Sequence, residues 1–542
     1  MLFNSYEFLF AFLPVALAGF FLLGSVSRVW AIRWIIVASL IFYALWRPLN
    51  VLIIGPSIFI NYALARSLQH LGQEGKVRSS RVVLMLGIAF NVAFLGYFKY
   101  ANFLAGAVND AFGVGLVLER IILPLGISFI TFQKIAFLID VQARRVTTFT
   151  VQDYCLFVLF FPQLIAGPIV HYREMMPQFR LAPCKPDPEH LAVGLTLILF
   201  GLFKKVVLAD GIAPLVSGIY DGAGAAGAVS LLPAWMAAIG FTLQIYFDFS
   251  GYTDMALGTA RCMGIRFPPN FNSPLKASNI IDFWMRWHMT LTRFLTAYVY
   301  NPLALSLTRR RMASGRPGFV GRSATMGAFL SLLVFPTLVT MVVSGVWHGA
   351  DYLFIAWGFV HGVYLTVNHG WRLVVRRLWP DRGLYDRIMR PAGVVLTFVC
   401  VAAAMVLFRS PTVQSAVVLL KGLFGGFGVA LPAPLYDRLG RLPEWVQSAG
   451  PTEVLGAYYE FKPLFLWIVG LGAIVFACPN TLQLLAPYEP ALGFRTGWRA
   501  PGLGGRELVW RPTLIWVIVM SIVAFVVALH LGGKSEFLYW QF

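Results

Sequence analysis

The chain has 542 residues, 58% of them hydrophobic and 12% charged, with a mean hydropathy of +0.72. A soluble globular protein carries about 25% charged residues, so a soluble fold is excluded; apolar runs of membrane-spanning length recur from end to end and predict an all-α polytopic membrane protein. The net charge of +19 sits on Lys and Arg in short loops, as the positive-inside rule expects, and does not indicate nucleic-acid binding.

The five cysteines (Cys155, Cys184, Cys262, Cys400 and Cys478) are far apart, and no CxxC or Cys/His metal spacing exists. The N-terminus lacks a basic leader region and a small-residue cleavage site, so Met1 to Leu23 reads as a first membrane helix. Its apolar part is Phe8 to Leu23. Trp34 to Trp46, Val51 to Leu68 (with Pro56 near its start) and Val82 to Phe98 come next. A small-residue segment, Ala101 to Leu118, leads to Ile121–Ile139. The basic loops at Arg28/Arg33, Lys76/Arg78/Arg81 and Arg144/Arg145 alternate with poorly charged turns at Arg47 and Lys99. Basic loops belong in the cytoplasm, which puts the N-terminus outside.

Cys155 to Val170 is apolar but holds Pro162, Gly167 and Pro168, the signature of a broken or re-entrant helix. Leu191 to Leu208 spans next, interrupted by Lys204 and Lys205. Leu231 to Met263 is the longest apolar-rich stretch, yet Gln244, Asp248, Ser250, Tyr252, Thr253 and Asp254 lie near its middle. Carboxylates there do not face lipid; they mark either a functional path or buried pairs with Arg or backbone donors that organise packing.

Arg266 to Pro274 holds three prolines and forbids a continuous helix. Ser278-Asn279 is positioned to cap the next helix. Ile280 to Tyr300 reads as one amphipathic helix with Trp284, His288, Leu291 and Leu295 on one face. Asp282, Arg286 and Arg293 lie elsewhere around it, and it is too charged to cross lipid freely. His288 is then either an interfacial packing residue or part of a site.

Leu307 to Arg322, with Arg309, Arg310, Arg311, Arg316 and Arg322, reads as a cytoplasmic basic loop. Ser323 to Trp347 runs outward with Pro336 as a kink, and Tyr352 to Val367 returns with Asp351 as its N-cap. The basic loop Arg372 to Arg390 is cytoplasmic too, which places His348 toward the non-cytoplasmic half. Val343-Ser344-Gly345-Val346-Trp347-His348-Gly349 thus sets a histidine at membrane depth between glycines, either a functional site or an interfacial cap beside a tryptophan. His361 comes thirteen residues later, about 220° further round a continuous helix, and reads as packing rather than as a partner of His348. Ala392 to Phe408, an outer segment Pro411 to Glu460, Pro463 to Ala477, a cytoplasmic loop Asn480 to Arg511 and Pro512 to Leu531 complete the chain. This gives about eleven to thirteen spans and re-entrant pieces.

No phosphate-binding loop, GxGxxG or HExxH occurs. The groups at depth suited to chemistry are His288, His348, His361, Asp248 and Asp254, and an imidazole suits proton abstraction near neutral pH. The ordered segments FFPQLIAGPIVHY (Phe160–Tyr172), IYFDFSGYTDMALGTARCMGIRFPPNFNSP (Ile245–Pro274), FWMRWHMTLTRFLTAYVYNPL (Phe283–Leu303) and VSGVWHGADYLFIAWGFVHGVYL (Val343–Leu365) resemble the membrane-bound O-acyltransferase superfamily. Within it they resemble the bacterial alginate O-acetyltransferase branch, and they are similar to the teichoic acid D-alanyl transferase.

The resemblance implies one integral-membrane acyltransferase domain over residues 1–542. It would have N-terminal helices at 1–152, a catalytic core with re-entrant segments at 153–373, and C-terminal helices at 374–542 carrying the outer segment 411–460 and the cytoplasmic loop 480–511. It further implies a ring of helices around a thin core crossed by a tunnel. His348 of the WHG motif would be catalytic, and His288 matches a second signature position that is Asn or His across the superfamily. Trp347, Asp248, Tyr252, Asp254, Asn270, Trp284, Arg286 and Trp287 would bind substrate or line the tunnel. The acyl donor would be acetyl-CoA, as a substrate rather than a bound cofactor, and no metal is implied. The acceptor would be alginate or another envelope glycan, reached through a periplasmic, hydrolase-like partner protein. The setting would be the bacterial cytoplasmic membrane, with the N-terminus and the C-terminus outside. Two other readings fit some of the same residues: a transporter or flippase of a polysaccharide or lipid intermediate working through Asp248 and Asp254, and a non-catalytic scaffold.

Overall fold

The computed structural model describes residues 2–542 except 117, 120, 166, 182–183, 317, 319–324, 380, 433–435, 439–445, 450–460, 495–507, 534–537 and 539–542. Much of the outer segment 411–460 and of the loop 480–511, and nearly all of the aromatic C-terminal end, therefore lie outside the described residues. The described chain is helical apart from two short strands, Val429–Pro432 and Val446–Ala449, paired in parallel with Val429 opposite Val446.

Among the described residues six helices are long and apolar enough to cross a membrane: Glu7–Val26, Leu49–Gln73, Val77–Phe112, Pro188–Ala226, Met326–His348 and Gly383–Arg409. Several other expected spans are helices too short for that measure, such as Arg28–Ala44 and Ile127–Gln142. The lipid-facing character is visible in what is left uncovered. Leu52, Leu514 and Ile515 are 70%, 75% and 73% exposed, whereas a soluble monomer exposes few contiguous apolar patches.

The chain divides into two units. The first comprises Met1–Phe203, Ser250–Asn270 and Thr481–Lys534. In it the first two helices pack so closely that a Cβ on Gly19 would lie 2.3 Å from the Trp34 ring, and the Trp34 indole donates to the Ala16 carbonyl. Leu49–Gln73, Val77–Leu95 and Ile127–Gln142 pack against one another. Several polar groups inside this trio are paired, though the buried Thr131 hydroxyl has no hydrogen-bond partner among the described residues. The Asn61 and Asn91 amides bond each other reciprocally, and the Lys134 ammonium lies 2.6 Å from Ser57 Oγ and 5.1 Å from the Phe94 ring centroid.

The segment expected to be broken is broken. The helix Val151–Leu159 stops at Phe160, a single turn Phe161–Leu164 comes after it, and residues 167–171 carry no regular secondary structure before the helix Tyr172–Leu181. The freed Phe161 N–H bonds Ser39 Oγ, so the break costs no unsatisfied donor there. Gly167 is required by space, since a Cβ would lie 2.4 Å from Gln163 Cα. His171 at the end of this break is buried with its ring 4.0 Å from the Asp140 carboxylate.

The second unit comprises Lys204–Phe249, Phe271–Asn480 and Ser535–Phe542. Its centre is the hairpin of Phe335–His348 and Tyr352–Leu378. Asp351 caps the second helix through a 2.7 Å bond from the Leu353 N–H, as the sequence predicts. Pro336 sits in the first turn of its helix, after a π-helical stretch Leu330–Val334, where its missing N–H is harmless.

Two glycines set the distance between the hairpin's helices. A Cβ on Gly345 would lie 2.2 Å from the Phe354 carbonyl oxygen, and one on Gly358 would lie 2.3 Å from the Met341 carbonyl oxygen. Both obstacles are backbone, so relief requires the helices to part. Gly345→Ala is expected to destabilise the protein by more than about 2 kcal/mol. The check is a lower melting midpoint in detergent, alongside Gly470→Ala, where nothing lies within 4 Å, as the neutral control.

The expected loop Arg372 to Arg390 is largely helix, since Tyr352–Leu378 and Arg382–Arg409 run into it, and a second expected element differs as well. Ile280 to Tyr300 is not one helix but a short helix Ile280–Trp284, a turn, a second helix Met289–Leu295 and a π-helical stretch Thr296–Tyr300. Asn279 caps the first piece by accepting from the Asp282 N–H, as expected. The chain then reverses at His288, which is left-handed at φ 42° and ψ 51°. Such a conformation is uncommon outside glycine and persists only where surroundings hold it. Trp284 and His288 therefore do not share the face that continuous helical spacing predicts.

Candidate active site

The site is built from the second unit alone. The helix Phe335–His348 ends at His348, and Gly349 beyond it is extended, at φ −155°. A Cβ on Gly349 would lie 2.1 Å from the Phe354 ring, so glycine lets that ring close under the turn. The left-handed turn at His288 aims the second histidine into the same region. His288 is fully buried and His348 is 5% exposed, and their ring centroids are 6.4 Å apart. That separation is too long for a hydrogen bond between the rings.

Aromatic rings fix both imidazoles. His348 packs edge-on against Trp347 at 5.0 Å, Trp357 at 5.1 Å and Phe408 at 5.3 Å. His288 meets Phe249 at 4.8 Å and Trp347 at 6.0 Å. The walls are thus apolar and the reactive groups few, an arrangement that excludes bulk water and holds orientation.

The remaining predicted residues fall in different places. Trp347 touches both histidines, 5.0 Å from His348 and 6.0 Å from His288. Trp284 packs against Trp357 at 5.8 Å. Trp287 stacks on Phe283 at 5.6 Å and meets Phe271 at 5.0 Å, so it braces the turn that carries His288. Arg286 makes a 2.7 Å bond to Asp282 with about a third of its side chain exposed, and its carbonyl accepts from the Asn272 N–H.

Asp248 is buried at 1% exposure and paired with Lys205 at 2.6 Å; the same ammonium reaches Asp210 at 2.7 Å. The packing reading of this carboxylate is the one the contacts favour, with Lys in the place foreseen for Arg. Lys205 lies in the π-helical stretch Phe203–Ala209, whose extra residue per turn re-aims side chains. Tyr252, Asp254 and Asn270 are buried in the first unit, where Tyr252 stacks on Phe3 at 4.9 Å and Asn270 Nδ2 lies 3.5 Å from Thr253 Oγ1.

Sequence reasoning passed over Trp357, Phe408 and the placement of His361. His361 is fully buried and stands 4.8 Å from Trp357 and 5.3 Å from Trp284. The angular argument assumed a continuous helix from His348, but the chain turns at Gly349–Asp351. The usable signal was Trp357, His361, Tyr364 and Asn368 recurring at helical spacing behind the Asp351 cap. A cavity of about 1000 Å³ is lined by Ile280, Tyr364, Asn368, Trp371, Arg372 and Arg390, among others. No group of three or more metal-ligating side chains occurs among the described residues.

Comparison with known proteins agrees with the segments quoted from the sequence. Residues 127–315 match the model of MBOAT, the membrane-bound O-acyltransferase family. The chain is 36% identical to a peptidoglycan O-acetyltransferase of Helicobacter pylori, over all of this chain and 98% of that protein. It is 34% identical to the probable alginate O-acetylase AlgI of Pseudomonas aeruginosa, over 78% of this chain and 75% of that protein. A teichoic acid D-alanyltransferase of Streptococcus thermophilus is 27% identical over 52% of this chain and 68% of its own length.

Proposed function

Because the chain belongs to the membrane-bound O-acyltransferase family and is therefore an O-acyltransferase, we propose that it passes acetyl groups from a cytoplasmic thioester, acetyl-CoA, to an envelope glycan beyond the membrane. The observation that carries the reading is the pair of buried imidazoles, His288 and His348, 6.4 Å apart in an aromatic shell. His348 takes the proton of an acceptor hydroxyl as its oxygen attacks the acetyl carbonyl. The tetrahedral intermediate collapses by breaking the C–S bond, and the imidazolium returns the proton to the departing thiolate. His288 orients the carbonyl or the hydroxyl. A variant of this scheme has the acetyl group resting on His348 or on a partner's serine before it moves on.

The relatives named for peptidoglycan and for alginate acetylation support a glycan acceptor of either kind. In this reading the basic loops lie in the cytoplasm, so both termini face outward across the bacterial cytoplasmic membrane. The cavity beside Arg372 and Arg390 then opens at the cytoplasmic end of the helix Tyr352–Leu378 and admits the donor. The ring of about eleven to thirteen helices and re-entrant pieces around a tunnel belongs to the same reading. A periplasmic, hydrolase-like partner completes transfer to polymer.

The test is labelled acetyl-CoA supplied to the purified chain in detergent or nanodiscs with the candidate glycans. Acetyl transfer or donor cleavage by the wild type supports the reading; no consumption with any acceptor, with or without membrane extract to supply a partner, counts against it. Within it, His288→Asn is expected to keep part of the rate and His288→Leu to lose about 100-fold in kcat, because asparagine still presents a hydrogen-bonding group at that turn. Equal rates for both would remove His288 from the chemistry.

A further inference from the structure

The basic stretch from Leu307, expected to be a loop, begins as helix. Asn301–Ala313 is helical, with Pro302 in its first turn, where a missing N–H is harmless. It packs on the π-helical stretches Thr296–Tyr300 and Leu330–Val334. Yet none of its 13 residues is buried; Leu303, Ala304, Leu307, Thr308 and Arg311 are half-buried and the rest exposed. A helix this short is marginal in water and is held by the face it buries. Here the protein covers one side, and that side only by half.

The uncovered side is both apolar and basic. Leu305, Arg309 and Met312 stand at i, i+4 and i+7 and share one face. Leu305 and Met312 are 56% and 66% exposed. Arg310 lies about 100° further round and is exposed like Arg309. Gly315 takes φ 69°, and the Arg316 N–H bonds back to the Arg311 carbonyl at 3.1 Å. That turn keeps Arg316 at the same end of the helix. Residues 283–350 contain no Asp or Glu, and the side chains of Arg309, Arg310 and Arg316 have no hydrogen bond or ion pair among the described residues.

Arg311 has a different task. Its guanidinium donates to Thr325 Oγ1 at 3.3 Å, Ser331 Oγ at 3.3 Å and the Gly327 carbonyl at 3.4 Å. Thr325 caps the helix that starts at Met326, and Met326–His348 is apolar and long enough to cross a membrane. The basic helix is thus tied to the end at which a span enters lipid. Met326 and Leu330, in the first turns of that span, are exposed as well.

A solvated charged face gives no reason for Leu305, Met312, Met326 and Leu330 to stand uncovered beside it. The helix dipole favours cations in the last turn and is indifferent to the apolar residues. The positive-inside rule selects a side of the membrane and requires no helix. A phospholipid surface accounts for both components. The apolar side chains enter the acyl boundary, and the guanidiniums meet phosphates, which they bind in bidentate fashion.

We propose that Asn301–Ala313, with Arg316, is a surface helix that binds the phosphate groups of anionic phospholipids beside the span leading to His348. It needs neither the acyl donor nor the acceptor proposed above.

The test titrates the full-length chain in detergent with phosphatidylglycerol and with zwitterionic phosphatidylcholine. Bound lipid is counted by native mass spectrometry, and the melting midpoint is recorded at each step. The wild type should bind phosphatidylglycerol more tightly and melt higher with it, and added salt should shrink that preference. Each cation near an anionic surface contributes about fivefold. Arg309→Gln, Arg310→Gln and Arg316→Gln combined should therefore weaken phosphatidylglycerol binding about 100-fold and leave phosphatidylcholine binding unchanged. Arg309→Lys, Arg310→Lys and Arg316→Lys combined keep the charge and should retain most of the affinity. Leu305→Ser with Met312→Ser should weaken both lipids alike. A wild type without preference for phosphatidylglycerol would overturn the proposal, and so would a combined Gln variant that binds it as the wild type does; either result leaves a solvated basic helix. Displacement of the lipid by an equal concentration of glycerol 3-phosphate would also overturn it, by making the site one for soluble phosphate.

Discussion

Replacing His348 with alanine is expected to lower acetyl transfer by about 1000-fold or more while leaving a folded protein. A positioned base contributes about 10²–10⁴-fold, and three of the rings packed against His348, those of Trp347, Trp357 and Phe408, cannot act as a base. The side chain closes its helix at the hairpin turn rather than filling the middle of the crossing, so its loss costs packing but not the fold. His348→Gln is the companion variant, since it keeps a polar group of similar reach and cannot act as a base at neutral pH. The measurement is turnover of labelled acetyl-CoA, with monodispersity and melting midpoint recorded for each variant. Folded variants with wild-type turnover would make His348 structural.

Lys205→Met is expected to be the most damaging single change away from the histidines, lowering stability by about 3–5 kcal/mol. Lys205 and Asp248 are 2% and 1% exposed, and the ammonium lies 2.6 Å from Asp248 and 2.7 Å from Asp210. Without it two carboxylates share a site with no cation, one of them fully buried. Lys205→Met combined with Asp248→Asn should recover a large part of the loss, because the remaining carboxylate, Asp210, is partly exposed and the new amide is neutral. Melting midpoints in one detergent read both. A single variant as stable as the wild type would mean that the ion pair is dispensable. Because Phe249 is next to Asp248 in the chain and touches His288 at 4.8 Å, the single variant should also lose activity before it unfolds.

The parts of this fold that were legible in the sequence were those governed by short-range chemistry. Asp351 and Asn279 cap where an Asx residue precedes an apolar periodic run. Pro162, Gly167 and Pro168 break their segment. Leu231–Cys262 forms one 32-residue helix despite its two carboxylates. The pairing of His288 with His348 came from the motif resemblance, since nothing in their spacing brings residues 60 apart in sequence together. What was not legible depended on tertiary contacts. The left-handed turn at His288 is stabilised by rings from elsewhere in the chain, so periodicity ran a helix straight through it. His361 was misjudged because helical angles do not carry across the turn after His348. Lys205 read as an interruption because a π-helical stretch, invisible in composition, aims it at Asp248.

The glycine crossing of Gly345 and Gly358 has a bearing on how such a protein diversifies. Where two helices touch through backbone, no side chains lie between them to be exchanged, and their spacing cannot drift as neighbouring residues change. His348 and Trp357 are carried on those two helices, so the distance between them is fixed by peptide geometry. The outer segment and the rim of the cavity can therefore be rebuilt for a new glycan or a new partner while the spacing at the reacting atoms stays as it is. The hairpin acts as a gauge block: relatives that differ in acceptor are expected to differ around it and to superpose within it.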